Sequence, residues 1–249
     1  MTAGRPPSGL ARNTGFGVAA RLADIAGSAV LLILAARYFG AEEFGVYGFV
    51  QGIALFLTPV FDWGVQRILI RDLAVDKDGA GSALAAGLVV IVLVAAVACA
   101  GLAAAQSLIG LVGPGQTTSL TLAVAAQVLV CLTRCLSSVF IAFERMAYET
   151  LVSLVSRSLV VVFCCLTVLA GGGLTAFFAA IFAASAASLG LAAYLSATRF
   201  TRPGPWAGWG RVRLLLRDAN ALALSAFLNQ GAGEIAISKN VIKRIASEG

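Results

Sequence analysis

The chain has 249 residues, of which 59% are hydrophobic and only 12% are charged. Because soluble domains carry about 25% charged residues, this composition excludes a soluble globular domain and indicates a protein that crosses a membrane several times. A net charge of +6 is compatible with a nucleic-acid partner, but most basic residues lie in loops between apolar runs, which is the pattern of membrane topology. We therefore expect no nucleic-acid binding.

Two apolar runs follow a short polar arm at residues 1–13. A helical span takes about 20 residues, so we predict a first span over residues 17–38 and a second over residues 44–66. A short turn at residues 40–45 joins them. Pro59 predicts a kink in the second span, because proline interrupts helical hydrogen bonding.

Further apolar runs follow along the chain. We predict spans over residues 83–105, 120–143, 151–170 and 175–197, and a weaker seventh helix over residues 221–237. The loop at residues 199–217 holds several Arg and two Trp residues, which predicts a short helix at the membrane surface. Asp218 and Asn220 are candidate caps for the seventh helix.

These elements predict an all-α fold, a polytopic transmembrane helix bundle with six clear spans and a weak seventh. A first unit is expected at residues 1–217, and the start of a second unit at residues 218–249.

The N-terminal arm and the loops near Arg71, Arg145 and Arg202 are basic, whereas the alternate loops carry hardly any basic residue. Because basic loops stay in the cytoplasm, we predict a multi-pass protein of the cell inner (plasma) membrane with a cytoplasmic N-terminus.

Three Arg residues lie inside predicted spans. At 1.5 Å per residue, Arg21, Arg134 and Arg157 lie about 6–9 Å inside the cytoplasmic half of the membrane. Arg145 is eleven residues after Arg134 and falls on the same face of a continuous helix. Two interpretations remain open: the side chains reach out to nearby lipid headgroups, or they line a water-filled cavity where guanidinium groups bind phosphate.

Carboxylates close to these Arg residues predict ion pairs. Asp24 follows Arg21 by three residues, which places the two side chains on one helix face. Asp62 is predicted to be the helix-end partner of Arg67, with Arg71 one turn further on. These residues are interpreted as structural ion pairs or as ligands of a coupling ion.

The sequence contains no His and five Cys. The absence of His removes the commonest general base and the commonest metal ligand. Cys131 and Cys135 share a helix face, but two thiols without a nearby His or carboxylate make a poor metal site. We therefore predict no metal, no cofactor and no catalytic residue, and hence a protein that is not an enzyme.

Motifs in the first two spans carry a resemblance to a known family. They are Arg21, the turn Gly40-Ala41-Glu42-Glu43-Phe44-Gly45-Val46-Tyr47, and Asp62-Trp63-Gly64 leading to Ile70-Arg71. In these motifs the chain resembles the polysaccharide transporter family, which contains the O-antigen flippases and belongs to the multidrug/oligosaccharidyl-lipid/polysaccharide exporter superfamily. The resemblance implies two six-helix lobes around a cation-lined cavity. It also implies transfer of a polyprenyl-pyrophosphate-linked oligosaccharide from the cytoplasmic to the outer leaflet, as in lipopolysaccharide biosynthesis.

Set against this family, the chain is expected to be one lobe and the start of a second. A second lobe or polysaccharide assembly proteins are then expected partners, besides the lipid bilayer and the lipid-linked sugar. The expected substrate-binding residues are Arg21, Arg134, Arg157 and Arg145. The alternatives are a related multidrug or lipid II exporter, a non-transporting membrane scaffold, and a membrane-embedded transferase. A transferase needs a catalytic loop, and Asp72, Asp76 and Asp78 form no recognisable motif.

Overall fold

The computed structural model describes residues 8–75, 79–200 and 208–219. The helices are α1 (Ser8–Tyr38), α2 (Ala41–Asp62), α3 (Val65–Val75), α4 (Ala80–Ile109), α5 (Thr117–Ala142), α6 (Met146–Leu169) and α7 (Leu174–Arg199). A 3₁₀ turn at Pro114–Gln116 precedes α5, and residues 209–219 form a further helical segment. The prediction of an all-α helix bundle is confirmed.

Several of these helices are long and apolar enough to cross a bilayer. Among the described residues there are five such spans: Ala41–Val75, Ala80–Ile109, Thr117–Ala142, Met146–Leu169 and Leu174–Arg199. Large apolar side chains such as Phe56, Val97 and Leu166 point outward, as lipid-facing side chains do. The chain is therefore a multi-pass membrane protein. The predicted first span corresponds to α1, which is 31 residues long but is not one of the five, so the count differs from the six predicted.

The predicted second span does not form one continuous helix. α2 ends at Asp62, because Trp63 (φ 43°) and Gly64 (φ 77°) adopt left-handed backbone conformations. The N–H of Trp63 closes the last turn by donating to the carbonyl of Pro59, at 3.0 Å. The chain restarts as α3, which buries the side chains of Val65, Ile68, Leu69 and Leu73 on one face. The predicted second span is thus part of the candidate span Ala41–Val75, and its helix is interrupted at Trp63–Gly64, four residues after the kink predicted at Pro59.

Helix α5 occupies the centre of the bundle, where it packs against α2, α3, α4 and α7, while α1 packs mainly on α6. An aromatic cluster closes each end. Near the α1–α2 turn, Phe39 and Tyr47 meet Phe177 edge-on, with ring centroids 5.5 and 5.8 Å away. At the opposite end of α7, Phe200 contacts Phe140 and Tyr148, with centroids at 5.2 and 5.3 Å.

The helical segment at residues 209–219 lies against the bundle. It buries Val212, Leu215 and Ala219, which are three and four residues apart and so share one face. The predicted Arg/Leu-rich helix is confirmed, and its place at the membrane surface stays a prediction. Asp218 lies within this segment and accepts from Arg71 at 3.5 Å. The predicted seventh helix, with Asn220, lies outside the described residues, and the division of the chain at residue 217 stays a prediction.

Candidate functional site: a polar cavity in the bundle

A cavity of about 730 Å³ opens among α1, α2, α5, α6 and α7. Its lining is unusual for a membrane bundle because it contains both charges and many neutral hydrogen-bonding groups. The charged residues are Asp24, Arg134, Glu149 and Arg157, and the amide side chains are Gln51, Gln66 and Gln127. Each of the five helices also contributes at least one Ser or Thr hydroxyl group to the lining. Ionisable residues within a membrane protein usually face such a cavity.

Helical periodicity explains how these side chains converge. On α5 the lining residues Gln127, Arg134 and Ser137 are seven and three residues apart, which keeps them on one helix face. On α6, Glu149, Ser153 and Arg157 follow at intervals of four, so they form a second polar stripe. The two stripes line the same cavity.

An ion pair joins α1 to α6 inside this cavity. Arg157 donates to one oxygen of Asp24, with Nε–Oδ1 at 3.1 Å and Nη2–Oδ1 at 3.0 Å. The predicted pairing of Asp24 with Arg21 is therefore wrong. Arg21 is exposed and is not among the lining residues of the cavity, because the side of α1 that packs on α6 carries Asp24.

Gly27 makes room for this ion pair. It lies on α1 three residues after Asp24, where a Cβ atom would come within 2.3 Å of Cγ and 2.5 Å of Cδ of Arg157. No side chain larger than hydrogen fits under the Arg157 stem unless the stem moves. The α1 backbone and the α6 side chain are thus fitted to each other.

Arg134 has a different environment. It lines the cavity and is exposed, and its charge interacts with Asp62. No direct ion pair joins Asp62 to Arg67 in the described part of the chain, although the charges of Arg67 and Arg134 both act on Asp62. One oxygen of Asp62, Oδ1, is buried without a hydrogen-bond partner. The described residues therefore show no ion pair between Asp62 and Arg67, and a role for Asp62 in holding a coupling ion stays a prediction.

Two further predicted site residues lie away from the cavity. α5 ends at Ala142, and Glu144 has a φ of 56°, so Arg145, the N-cap residue of α6, does not continue the face of Arg134. The predicted shared face is wrong for this reason, and Arg145 is exposed outside the lining. Arg71 pairs with Asp72 at 2.9 Å and with Asp218 at 3.5 Å. That geometry fits a structural ion pair between α3 and the 209–219 segment.

A family model described as "polysaccharide biosynthesis protein" matches residues 10–246. This chain belongs to the polysaccharide biosynthesis protein family. No curated protein and no solved structure shows significant similarity to it. The family match agrees with the resemblance found in the first two spans. A role in polysaccharide biosynthesis or export is therefore established at the level of the family.

Some lining residues of this polysaccharide biosynthesis family member were missed by sequence reasoning. The predicted span over residues 151–170 leaves out Glu149, which lies in the first turn of α6 and lines the cavity. Gln51, Gln66 and Gln127 were not selected at all. The signal was present, since Gln127 shares the spacing of Arg134 and Ser137, and Glu149 shares that of Ser153 and Arg157. The predicted site residues are all charged, so neutral polar residues within apolar runs are not among them.

The cavity of the family member offers charges and hydrogen bonds rather than reactive groups. Cys131 is buried with its thiol 3.7 Å from the carbonyl oxygen of Thr58, and Cys135 is buried beside it on α5. Within the described residues, no group of three or more His, Cys, Asp and Glu residues is placed to hold a metal ion. The side chains that line the cavity can bind a polar, anionic group and surround it with hydrogen-bond donors.

Proposed function

We propose that this protein moves a lipid-linked oligosaccharide, carried on polyprenyl pyrophosphate, from the cytoplasmic to the outer leaflet of the inner membrane. The observation that carries the proposal is the polar cavity, where Arg134 and Arg157 stand among amide and hydroxyl side chains inside an otherwise apolar bundle. Membership in the polysaccharide biosynthesis family supports the substrate class.

The cavity chemistry matches the polar head of such a lipid. A pyrophosphate brought away from bulk water needs cationic partners, because unpaired burial of charge is costly. Guanidinium groups suit phosphate since their fork donates two parallel hydrogen bonds. Sugar hydroxyl groups find partners in Gln51, Gln127 and Ser153. A cavity of about 730 Å³ is within the range of roughly 300–1,000 Å³ typical of ligand sites.

Transport of this kind breaks no covalent bond, so we propose a transporter and not an enzyme. The cytoplasmic N-terminus and the coupling of transport to an ion gradient belong to the same proposal. A multidrug or lipid II exporter would use the same bundle with another ligand. A scaffold would bind no lipid-linked sugar, and a transferase would consume its substrate.

The first prediction concerns Arg134. Each lost hydrogen bond to a charged group costs about 1.5–3 kcal/mol, so Arg134→Ala is expected to weaken binding of a short-chain polyprenyl pyrophosphate by at least about tenfold. Arg134→Lys keeps the charge but loses the fork, so its effect should be smaller. The measurement is titration calorimetry on the purified chain in detergent.

Arg37→Ala is the matched control, because Arg37 is exposed in the last turn of α1 and is not a lining residue. It should bind like the parent protein. If the Ala and Lys variants at Arg134 and Arg157 all bind like the parent, the cavity does not hold the pyrophosphate and the proposed function fails. Transport is then assayed as surface polysaccharide in cells that carry the variants at the native locus, so that any partner chain is present.

A further inference from the structure

The Asp24–Arg157 ion pair has a geometry that leaves Arg157 only partly satisfied. The guanidinium donates one hydrogen bond, from Nε to Oδ1 of Asp24, and its Nη2 atom lies 3.0 Å from the same oxygen. A fork-to-fork arrangement would use two oxygens and is the stronger form. A phosphate group presents several oxygens, so it can take both donors of Arg157 in parallel.

The pair is also accessible from the cavity. The side chains of Arg157 and Asp24 remain 32% and 37% exposed, and both residues belong to the lining. Ion pairs with this much solvent contact contribute little to stability, because water screens the attraction and competes for the charges. An incoming anion therefore does not have to break a strong, buried contact.

A second carboxylate stands beside the first. Glu149 lines the same cavity, and its charge interacts with that of Asp24. Asp24 belongs to α1 and Glu149 to α6. While Arg157 is paired with Asp24, its positive charge offsets the repulsion between the two carboxylates. Once Arg157 is taken by another anion, that repulsion acts between the two helices.

We propose that Asp24 is a positioning residue that holds Arg157 across the cavity, and that a phosphate of the lipid-linked sugar takes Arg157 from Asp24. This exchange rests on the proposed function, and it links substrate binding to a structural change in the bundle. Substrate binding removes the ion pair that joins α1 to α6 and leaves two like charges facing each other. Binding of the anion is thereby linked to loosening of the α1–α6 contact.

The test is a double-mutant cycle on the purified chain, with a short-chain polyprenyl pyrophosphate as the probe. Asp24→Asn removes the competing charge and keeps the shape of the side chain. Since exposed ion pairs are weak, we expect this variant to bind the probe about 2- to 5-fold more tightly than the parent. Arg157→Ala should bind at least about tenfold more weakly, and Asp24→Asn should give no gain in the Arg157→Ala background.

Glu149→Gln is the matched control, because it removes one carboxylate from the same cavity without removing the ion pair. Its gain in affinity should be clearly smaller than that of Asp24→Asn. Equal gains would mean that only the overall field matters, and the exchange would be overturned. Asp24→Ser serves as a second variant if Asp24→Asn does not purify as a monodisperse protein, and the same gain is expected.

The exchange and the proposed function can fail separately. If Asp24→Asn binds the probe like the parent or more weakly while Arg134→Ala and Arg157→Ala still lose affinity, the cavity binds pyrophosphate and the exchange is wrong. A gain that persists in the Arg157→Ala background also overturns it. If neither Arg variant loses affinity, both the exchange and the proposed function are wrong.

Discussion

At Gly27 the backbone of α1 lies in close contact with a side chain of α6. The Arg157 stem crosses α1 where a Cβ atom would lie 2.3 Å from its Cγ atom. Glycine costs a helix roughly 0.5–1 kcal/mol relative to alanine, so its presence within α1 is explained by this crossing. The side chain that crosses there carries one of the two Arg charges of the cavity.

We expect Gly27→Ala to destabilise the protein, because the added methyl group must displace the Arg157 stem. Overpacking of this kind costs about 1–3 kcal/mol. Gly48→Ala is the control, since Gly48 is likewise a glycine within a helix of the bundle but has open space where its Cβ would lie. That variant should be neutral or slightly stabilising. Thermal unfolding of the purified proteins in detergent measures both, and equal midpoints would contradict the fit at Gly27.

At the scale of elements, the 209–219 segment shows which forces hold a short helix to the bundle. Its polar contacts are the Arg71–Asp218 pair, with both side chains more than a third exposed, and a hydrogen bond from Arg211 to Ser82. Its apolar contacts are made by Val212 and Leu215, which are 2% and 5% exposed. Burial is therefore expected to dominate the attachment.

Leu215→Ala is expected to loosen the segment, since deleting a buried leucine side chain costs about 2–5 kcal/mol. Asp218→Asn should change little, because exposed ion pairs contribute about 0–1 kcal/mol. The alkylation rate of a single Cys in place of the buried Ala219 reports the opening of the segment. It should rise at least about tenfold with Leu215→Ala. A larger rise with Asp218→Asn would show that the ion pair holds the segment.

At the scale of the whole molecule, membrane orientation is still a prediction. The helix order returns the chain to the same side at each basic loop, as the positive-inside rule requires. Single Cys residues in a Cys-free background should be labelled from outside the cell at positions 42 and 172, and not at positions 77 and 202. The reverse labelling pattern would show that the protein has the opposite orientation in the membrane.

Several properties of this protein follow from local sequence alone. Apolar runs of about 20 residues specify membrane-spanning helices, because a backbone in lipid must satisfy its own hydrogen bonds. For that reason the all-α class was predicted correctly, and so were four of the later helices to within a few residues at most ends. For Arg134 and Arg157 the sequence left two interpretations open, contact with lipid headgroups or a place in a polar cavity, and both residues line the cavity.

The tertiary structure decided which charges meet. Local spacing favoured a pair between Arg21 and Asp24, which are three residues apart. The observed partner of Asp24 is Arg157, 133 positions away in the chain, and it reaches Asp24 only because α1 packs on α6 with Gly27 at the crossing. The break at Trp63–Gly64 and the turn at Glu144 likewise moved Asp62 and Arg145 out of their predicted relations. Helical periodicity is a property of neighbouring residues, whereas an ion pair between helices depends on how whole elements pack, and no short stretch of sequence contains that information.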